Sequence, residues 1–198
     1  MTGTTERYAT GAGYGLGALL LGALLLLAFP VGADGPGIRL VSHDVRESSR
    51  DLVLDARFRV ELTDEAREAL ASGVPLTLEV QARVTRPRWW WFWDSELTEI
   101  TAHYQLRYHA LSRRYVVHDR QSGERRTFFR QEVAMDAWGT VERLSLLPLR
   151  RLSRGEIYHL ELRARLDLDK LPHPLRTVAF VSPEWRLVSD WYRWPVDR

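Results

Sequence analysis

Four long runs of this chain place an apolar side chain at every second position. In DLVLDARFRVELT (51–63), Leu52, Leu54, Ala56, Phe58, Val60 and Leu62 share one side, opposite Asp55, Arg57, Arg59 and Glu61. PLTLEVQARV aligns Leu76, Leu78, Val80, Ala82 and Val84 in the same way, and ITAHYQLRYHA aligns Ile100, Ala102, Tyr104, Leu106, Tyr108 and Ala110. YHLELRARLDL adds Tyr158, Leu160, Leu162, Ala164, Leu166 and Leu168. A period of two is that of a strand with one face on a core and one in water. Antiparallel sheets accommodate such half-wet strands. Shorter candidates are IRLVSHDV, RYVVHDR, RRTFFRQ and SLLPLRRL. Strands this frequent, separated by turn residues, predict an all-β fold. The expected form is an antiparallel β-sandwich of seven or eight strands, immunoglobulin-like in style.

Two short helices are expected to interrupt the strands. Thr63 can cap DEAREALAS, with acids in the first turn and Gly73 as its stop. In QEVAMDAWGTVERL, Val133, Ala134, Ala137, Trp138 and Val141 form a helical stripe, although Gly139 within it costs about 1 kcal/mol relative to Ala. The tail PEWRLVSDWYRWPV reads as a terminal strand docked on the sheet. Extended, it sets Trp185, Leu187 and Trp191 on one face, and Tyr192 and Trp194 on the other.

Before residue 34 the alternation gives way to GAGYGLGALLLGALLLLAFPVGA, with no charge between Arg7 and Asp34. Leu16–Phe29 has the length of a signal-peptide core, and Val31 and Ala33 stand at the −3 and −1 positions of a small-residue cleavage site. Left uncut, residues 11–32 could span a bilayer. Residues 1–33 are therefore read as an apolar leader helix, either a signal peptide or an N-terminal membrane anchor. Residues 34–198 are read as a single exported domain. It is expected to be periplasmic, or anchored in the inner membrane with the domain outside.

Composition narrows the chemistry. The chain is 45% hydrophobic and 27% charged, which is ordinary for a globular domain. It has no cysteine, so its core must suffice without disulfides, and thiolate zinc sites, iron–sulfur clusters and cysteine nucleophiles are excluded. The net charge is only +2, and arginines alternate with acids along the chain. That pattern is a solvated face rather than a nucleic-acid stripe. His103, His109 and His159 fall on the polar sides of their strands and are expected as solvated imidazoles. Asp167 and Asp169 in LDLDK are expected on a solvated strand edge. No HExxH, G-x-S-x-G or Walker A motif occurs. No catalytic, cofactor-binding or metal-binding residue is assigned, and no small-molecule substrate is indicated.

The densest feature is RPRWWWFWDSE (86–96), which carries four of the eight tryptophans. Continuing the alternation past Val84 would bury Arg86 and Arg88, so the strand must change near Pro87. Trp89, Trp91 and Trp93 would then share one side, with Trp90 and Phe92 on the other. These rings either close the end of the fold as core or form an exposed contact surface. The candidate interaction residues are Arg86, Arg88, Trp89, Trp90, Trp91, Phe92 and Trp93, with Trp191 and Trp194 of the tail beside them. Indoles and guanidiniums suit the headgroup depth of a membrane and also the centre of a protein interface.

Four separated stretches carry a resemblance to a family: SGVPLTLEVQARVTRPRWWW, YQLRYHALSRRYVV, RLDLDKLPHPLR and EWRLVSDWYRWP. In these the chain resembles a proteobacterial family of exported proteins, domain of unknown function 4390. The resemblance implies an envelope protein with no assigned activity, from genes beside a ribosomal RNA methyltransferase and a membrane sensor kinase. The family has fewer consecutive aromatics after RPR, which makes WWWFW an elaboration. The expected function is a non-catalytic envelope protein contacting the membrane surface or a membrane-protein partner, possible roles including an accessory to the sensor kinase. The alternative is a carbohydrate-binding or hydrolytic periplasmic protein using groups on the polar strand faces.

Overall fold

The alternating runs pair edge to edge into two antiparallel sheets. The computed structural model describes residues 35–87 and 95–197. The leader (1–33) and the candidates Arg88, Trp89, Trp90, Trp91, Phe92 and Trp93 lie outside the described residues. Within them the strands are β1 (Gly37–Ser48), β2 (Asp51–Glu61), β3 (Leu76–Arg86), β4 (Ser95–His109) and β5 (Arg114–Asp119). They continue with β6 (Arg125–Phe128), β7 (Thr140–Pro148), β8 (Ile157–Leu166) and β9 (Tyr192–Asp197). One sheet has the order β1-β2-β7 and the other β6-β5-β4-β3-β8-β9. Nine strands are described where seven or eight were expected, and the tail strand read from the sequence is among them: β9 pairs with β8 as a full ladder from Ile157↔Asp197 to Leu162↔Tyr192.

Most of the predicted inward residues form the core, the exceptions including Ala110, exposed in the turn after β4, and Leu168, half-buried in a 3-10 helix past β8. Leu54, Phe58, Leu78, Val80, Ala82, Val84, Leu106, Leu160 and Leu162 are all buried and belong to one cluster drawn from both sheets. In β1 the register shifts between Leu40 and Ser42. That bulge reverses the alternation, so Ile38 and Leu40 are followed on the covered side by Val45. Pro36–Arg198 form one compact unit.

Three short helices occur among the described residues, one more than expected. The first, α1 (Asp64–Ala71), is capped as its sequence predicts: Thr63 Oγ1 accepts from the Ala66 amide at 3.2 Å, and Ala66 and Leu70 face the core. Gly73 follows its end with φ +85°, a conformation that costs a side chain energy. The second, α2 (Gln131–Trp138), stops sooner than its apolar stripe implies. Gly139 is its C-cap and Val141 already belongs to β7, so Gly139 imposes no mid-helix cost. The third, α3 (Leu175–Val181), follows Pro174 and has no capping side chain, which is why no start signal marks it. No described helix is long and apolar enough to cross a membrane.

Trp138 joins α2 to the large sheet. Its indole is fully buried and donates Nε1–H to the Tyr104 carbonyl at 2.7 Å. The Tyr104 phenol beneath is itself buried, and burial pushes its pKa well up, with Asp119 and Glu142 adding to the effect. Gly139 must be glycine for space: a Cβ there would stand 2.1 Å from the Phe58 carbonyl oxygen. The two backbones are also tied, the Phe58 amide donating to the Gly139 carbonyl at 2.8 Å. Gly139→Ala is therefore expected to destabilise the fold by at least about 2 kcal/mol, since the obstacle is main chain that cannot turn aside. Urea unfolding measures this, and an unchanged midpoint contradicts it.

Candidate functional site

Arg86 is the described anchor of the aromatic stretch, and its position answers the problem of its burial. The β3–β4 ladder shifts register between Val84 and Thr85, so that Val84 faces Thr98 but Thr85 faces Glu96. The extra residue, Leu97, belongs to β4, so the alternation of β3 runs on unbroken, and Arg86 keeps its guanidinium half exposed because β3 ends there. The last pair of the ladder is Arg86↔Ser95. Arg86 donates to Glu156 Oε2 at 2.9 Å, and the Tyr158 hydroxyl donates to the same oxygen at 3.0 Å. Tyr158 in turn accepts from the Ser153 amide at 2.8 Å. The hydrogen bond from Arg86, then that from Tyr158, holds the Glu156 carboxyl below the usual carboxylate range. Beside this pair runs an open groove of about 980 Å³, lined by Pro87, Gly155, Ile157, His159 and Pro195 as well. Ile157 is 56% exposed in it.

Trp191 and Trp194 point apart. Trp191 is 37% exposed on the outer face of the large sheet, with the Arg83 and Arg163 guanidiniums 4.6 and 4.8 Å from its ring centre. Trp194 faces the other way, its ring 3.9 Å from that of His43 on β1, and its buried Nε1 has no hydrogen-bond partner among the described residues. Beside it the Tyr192 hydroxyl accepts from the Leu40 amide at 3.1 Å. Trp185, expected on one face with Trp191, is instead buried in a 3-10 turn (Pro183–Trp185). The extended reading fails there because the chain turns twice before β9 begins. Of the two tail candidates, only Trp191 is part of the outer surface.

The same outer face holds a cluster that sequence reasoning missed. Glu79, on β3, faces His103 on β4 and Arg165 on β8. Arg165 grips it with two bonds, Nε to Oε1 at 2.9 Å and a terminal nitrogen to Oε2 at 3.0 Å. Gln81 adds a third, to Oε1 at 2.8 Å. Past the end of β8, the Asp167 amide donates to the Thr77 carbonyl at 2.8 Å. Asp167 Oδ1 accepts from the Asp169 amide at 3.0 Å. His103 Nε2 lies 3.5 Å from Asp167 Oδ2 and 3.8 Å from Glu79 Oε2.

Two expectations are corrected here. Asp167 is only 5% exposed, because the chain turns into a 3-10 helix (Leu168–Lys170) and folds its carboxylate back under the amide of Asp169. It is not a solvated edge, although Asp169 is exposed. His103 is not a free surface imidazole, since two carboxylates face it. The hydrogen bonds it donates to Glu79, opposed by burial, keep the Arg165 guanidinium above its ordinary pKa. No motif could reveal this cluster, because its members lie on three strands far apart in sequence. The only signal was that each falls on a polar strand face, which becomes informative once the register is known.

The family model described as domain of unknown function (DUF4390) matches residues 35–195. The chain belongs to this family. The match runs from just before β1 to within β9, so the DUF4390 domain takes in both sheets, the Arg86 end and the Glu79 cluster. No curated protein matches the chain, and no solved structure does.

The Arg86–Glu156 contact has a pH signature. A carboxyl whose pKa is depressed in the folded state contributes stability above its unfolded pKa, and that contribution is lost as pH falls through the folded pKa. In a ¹³C NMR titration, Glu156 is expected to titrate below the ordinary carboxylate range and to move part of the way back in Arg86→Gln, with Tyr158 holding the remainder. An unchanged Glu156 titration in that variant contradicts the assignment.

Proposed function

We propose that this DUF4390 chain is a non-catalytic cell-envelope protein. On this reading its two sheets face each other as a β-sandwich, immunoglobulin-like in style, behind an N-terminal signal or anchor, and it contacts the membrane surface through Arg86, Arg88 and Trp89–Trp93. The observation that carries the reading is the Arg86↔Ser95 pair, the last of the β3–β4 ladder. The aromatic stretch joins two neighbouring strands at that end of the sheet. At that end of the sheet are an open groove with the exposed Ile157, and Pro87 and Pro195, which have no amide hydrogen to donate. Trp191 stands on the same outer face, stacked with Arg83 three residues before Arg86.

Indoles and guanidiniums together suit the headgroup layer, where a ring can be half dry and a cation can meet phosphate. Arg86 reaches that layer with its charge partly answered by Glu156, so the remaining attraction comes from Arg88 and the rings. Carbohydrate binding or hydrolysis is less well supported. The two carboxylates nearest a histidine, Glu79 and Asp167, are each only 5% exposed and offer a sugar no open cleft.

Vesicle flotation of residues 35–198 tests the reading, with anionic phospholipid vesicles and a Trp89/Trp91/Trp93→Ala variant. The parent is expected to float, and the variant to stay at the bottom of the gradient with an unchanged Tm. If neither floats and the variant melts much lower, the rings are core, and contact with lipid is refuted. If the parent stays down while the variant keeps its Tm, the surface serves a membrane-protein partner such as the sensor kinase instead.

A further inference from the structure

We propose that Glu79, His103 and Asp167 form a binding site for a divalent transition-metal cation of the zinc class, on the outer face of the six-stranded sheet. The site goes beyond membrane contact and does not depend on it, since none of the three residues belongs to the Arg86 end.

The argument begins with the spacing. His103 Nε2 stands 3.5 Å from Asp167 Oδ2 and 3.8 Å from Glu79 Oε2, and one ligand atom from each residue lies within 4.8 Å of the other two. The first two separations are too long for hydrogen bonds, which for N–H donors fall at about 2.7–3.2 Å. They are close to the edges of a coordination polyhedron. With bonds of about 2.0–2.1 Å, tetrahedral ligand atoms sit roughly 3.3 Å apart. Closing on an ion would take shifts of tenths of an ångström on the His103 side, and the third edge has the most to contract.

Lone-pair accounting points the same way. Glu79 Oε1 accepts from both Arg165 and Gln81, which fills it. Oε2 accepts only from Arg165 and keeps one lone pair, on the oxygen nearest His103. Asp167 Oδ1 is used by the Asp169 amide, and Oδ2 is the atom nearest the imidazole. Arg165 and the Asp169 amide then orient the two ligands from outside, as hydrogen bonds do for metal-binding carboxylates. The two carboxyl groups are each only 5% exposed and, among the described residues, a single guanidinium, that of Arg165, is bonded to the pair, through Glu79, so a further cation would be favoured between them.

A further observation points to a ligand. Thr77 lies two residues before Glu79, hence on the same face of β3, and its backbone is bonded to Asp167. It is 3% exposed, and its hydroxyl has no hydrogen-bond partner among the described residues. Three protein ligands and one water is a common open zinc arrangement, and His103, the most exposed of the three, leaves the entrance. The imidazole nitrogen favours zinc over magnesium or calcium.

Calorimetric titration of chelator-stripped full-length protein with ZnCl₂ tests the site. One ion per chain is expected, with micromolar or tighter affinity and no competition from magnesium. His103→Asn is expected to weaken binding by at least roughly 30-fold, since even outer partners of metal ligands are worth 10–100-fold. His159→Asn, at an exposed histidine beside Arg193, should leave the affinity unchanged. Long-range ¹H–¹⁵N spectra of the unsubstituted protein should place the zinc-induced shift on His103 Nε2, which decides the matter if His103→Asn does not fold. Absence of saturable one-to-one binding, equal affinity in a folded His103→Asn, or a zinc shift at a different histidine overturns the proposal.

Discussion

Strand β3 is covered on both sides, so the charge on Glu79 has to be answered within the sheet itself. On its inner side Leu76, Leu78, Val80, Ala82 and Val84 are fully buried. On its outer side Thr77, Glu79 and Thr85 are buried as well, although their residue types suit water. A carboxylate removed from solvent in that position is tolerated only with a cation and a full set of donors. Arg165 supplies the cation across one ladder and Gln81 a further donor along β3, while His103 stands across the other ladder at 3.8 Å.

The same rule extends toward the Arg86 end. Arg163 donates to Gln81, Arg83 to Glu99, and the two guanidiniums share the face of Trp191. The outer face of the large sheet is thus a lattice of long side chains that cover one another's stems, which is how a polar sheet face becomes largely dry. Trp191 lies on this lattice, while Tyr192 and Trp194 reach the other way to Leu40 and His43 on β1. A short terminal strand therefore contributes both to the outer surface and to the contact between the two sheets. The lattice gives the Arg86 end a stiff base, and it also holds the carboxylates of the proposed cation site in place.

Much of the fold was legible because burial on one face imposes a period of two, and that period is visible in the order of apolar and polar residues. The inward residues of β2, β3, β4 and β8 were readable for this reason, as was the capped start of α1 at Thr63. What escaped depended on distance or on special backbone. The bulge in β1 reversed an alternation that no turn residue announces, and Gly139 is needed by a carbonyl on another strand. The α3 helix lacks a side-chain cap. At the functional surface, the need for a change near Pro87 was readable from the cost of burying Arg86, and the end of β3 at Arg86 supplies it. The Glu79 cluster was not readable. A buried carboxylate and a solvated one look identical in an alternating strand until the partners across the ladder are known.

The account rests most heavily on the Glu79–Arg165 pair, and a double-mutant cycle measures it directly. Arg165→Gln leaves a buried carboxylate facing fewer donors, whereas Glu79→Gln/Arg165→Gln removes the charge together with its partner. Chemical unfolding is expected to show the double variant more stable than Arg165→Gln alone, with a coupling of about 1 kcal/mol or more, less than for a fully buried pair because the Arg165 side chain is 42% exposed. If the two substitutions add within about 0.3–0.5 kcal/mol, as independent sites do, Glu79 is not held by Arg165, and the outer face of β3 is stabilised by something other than this network.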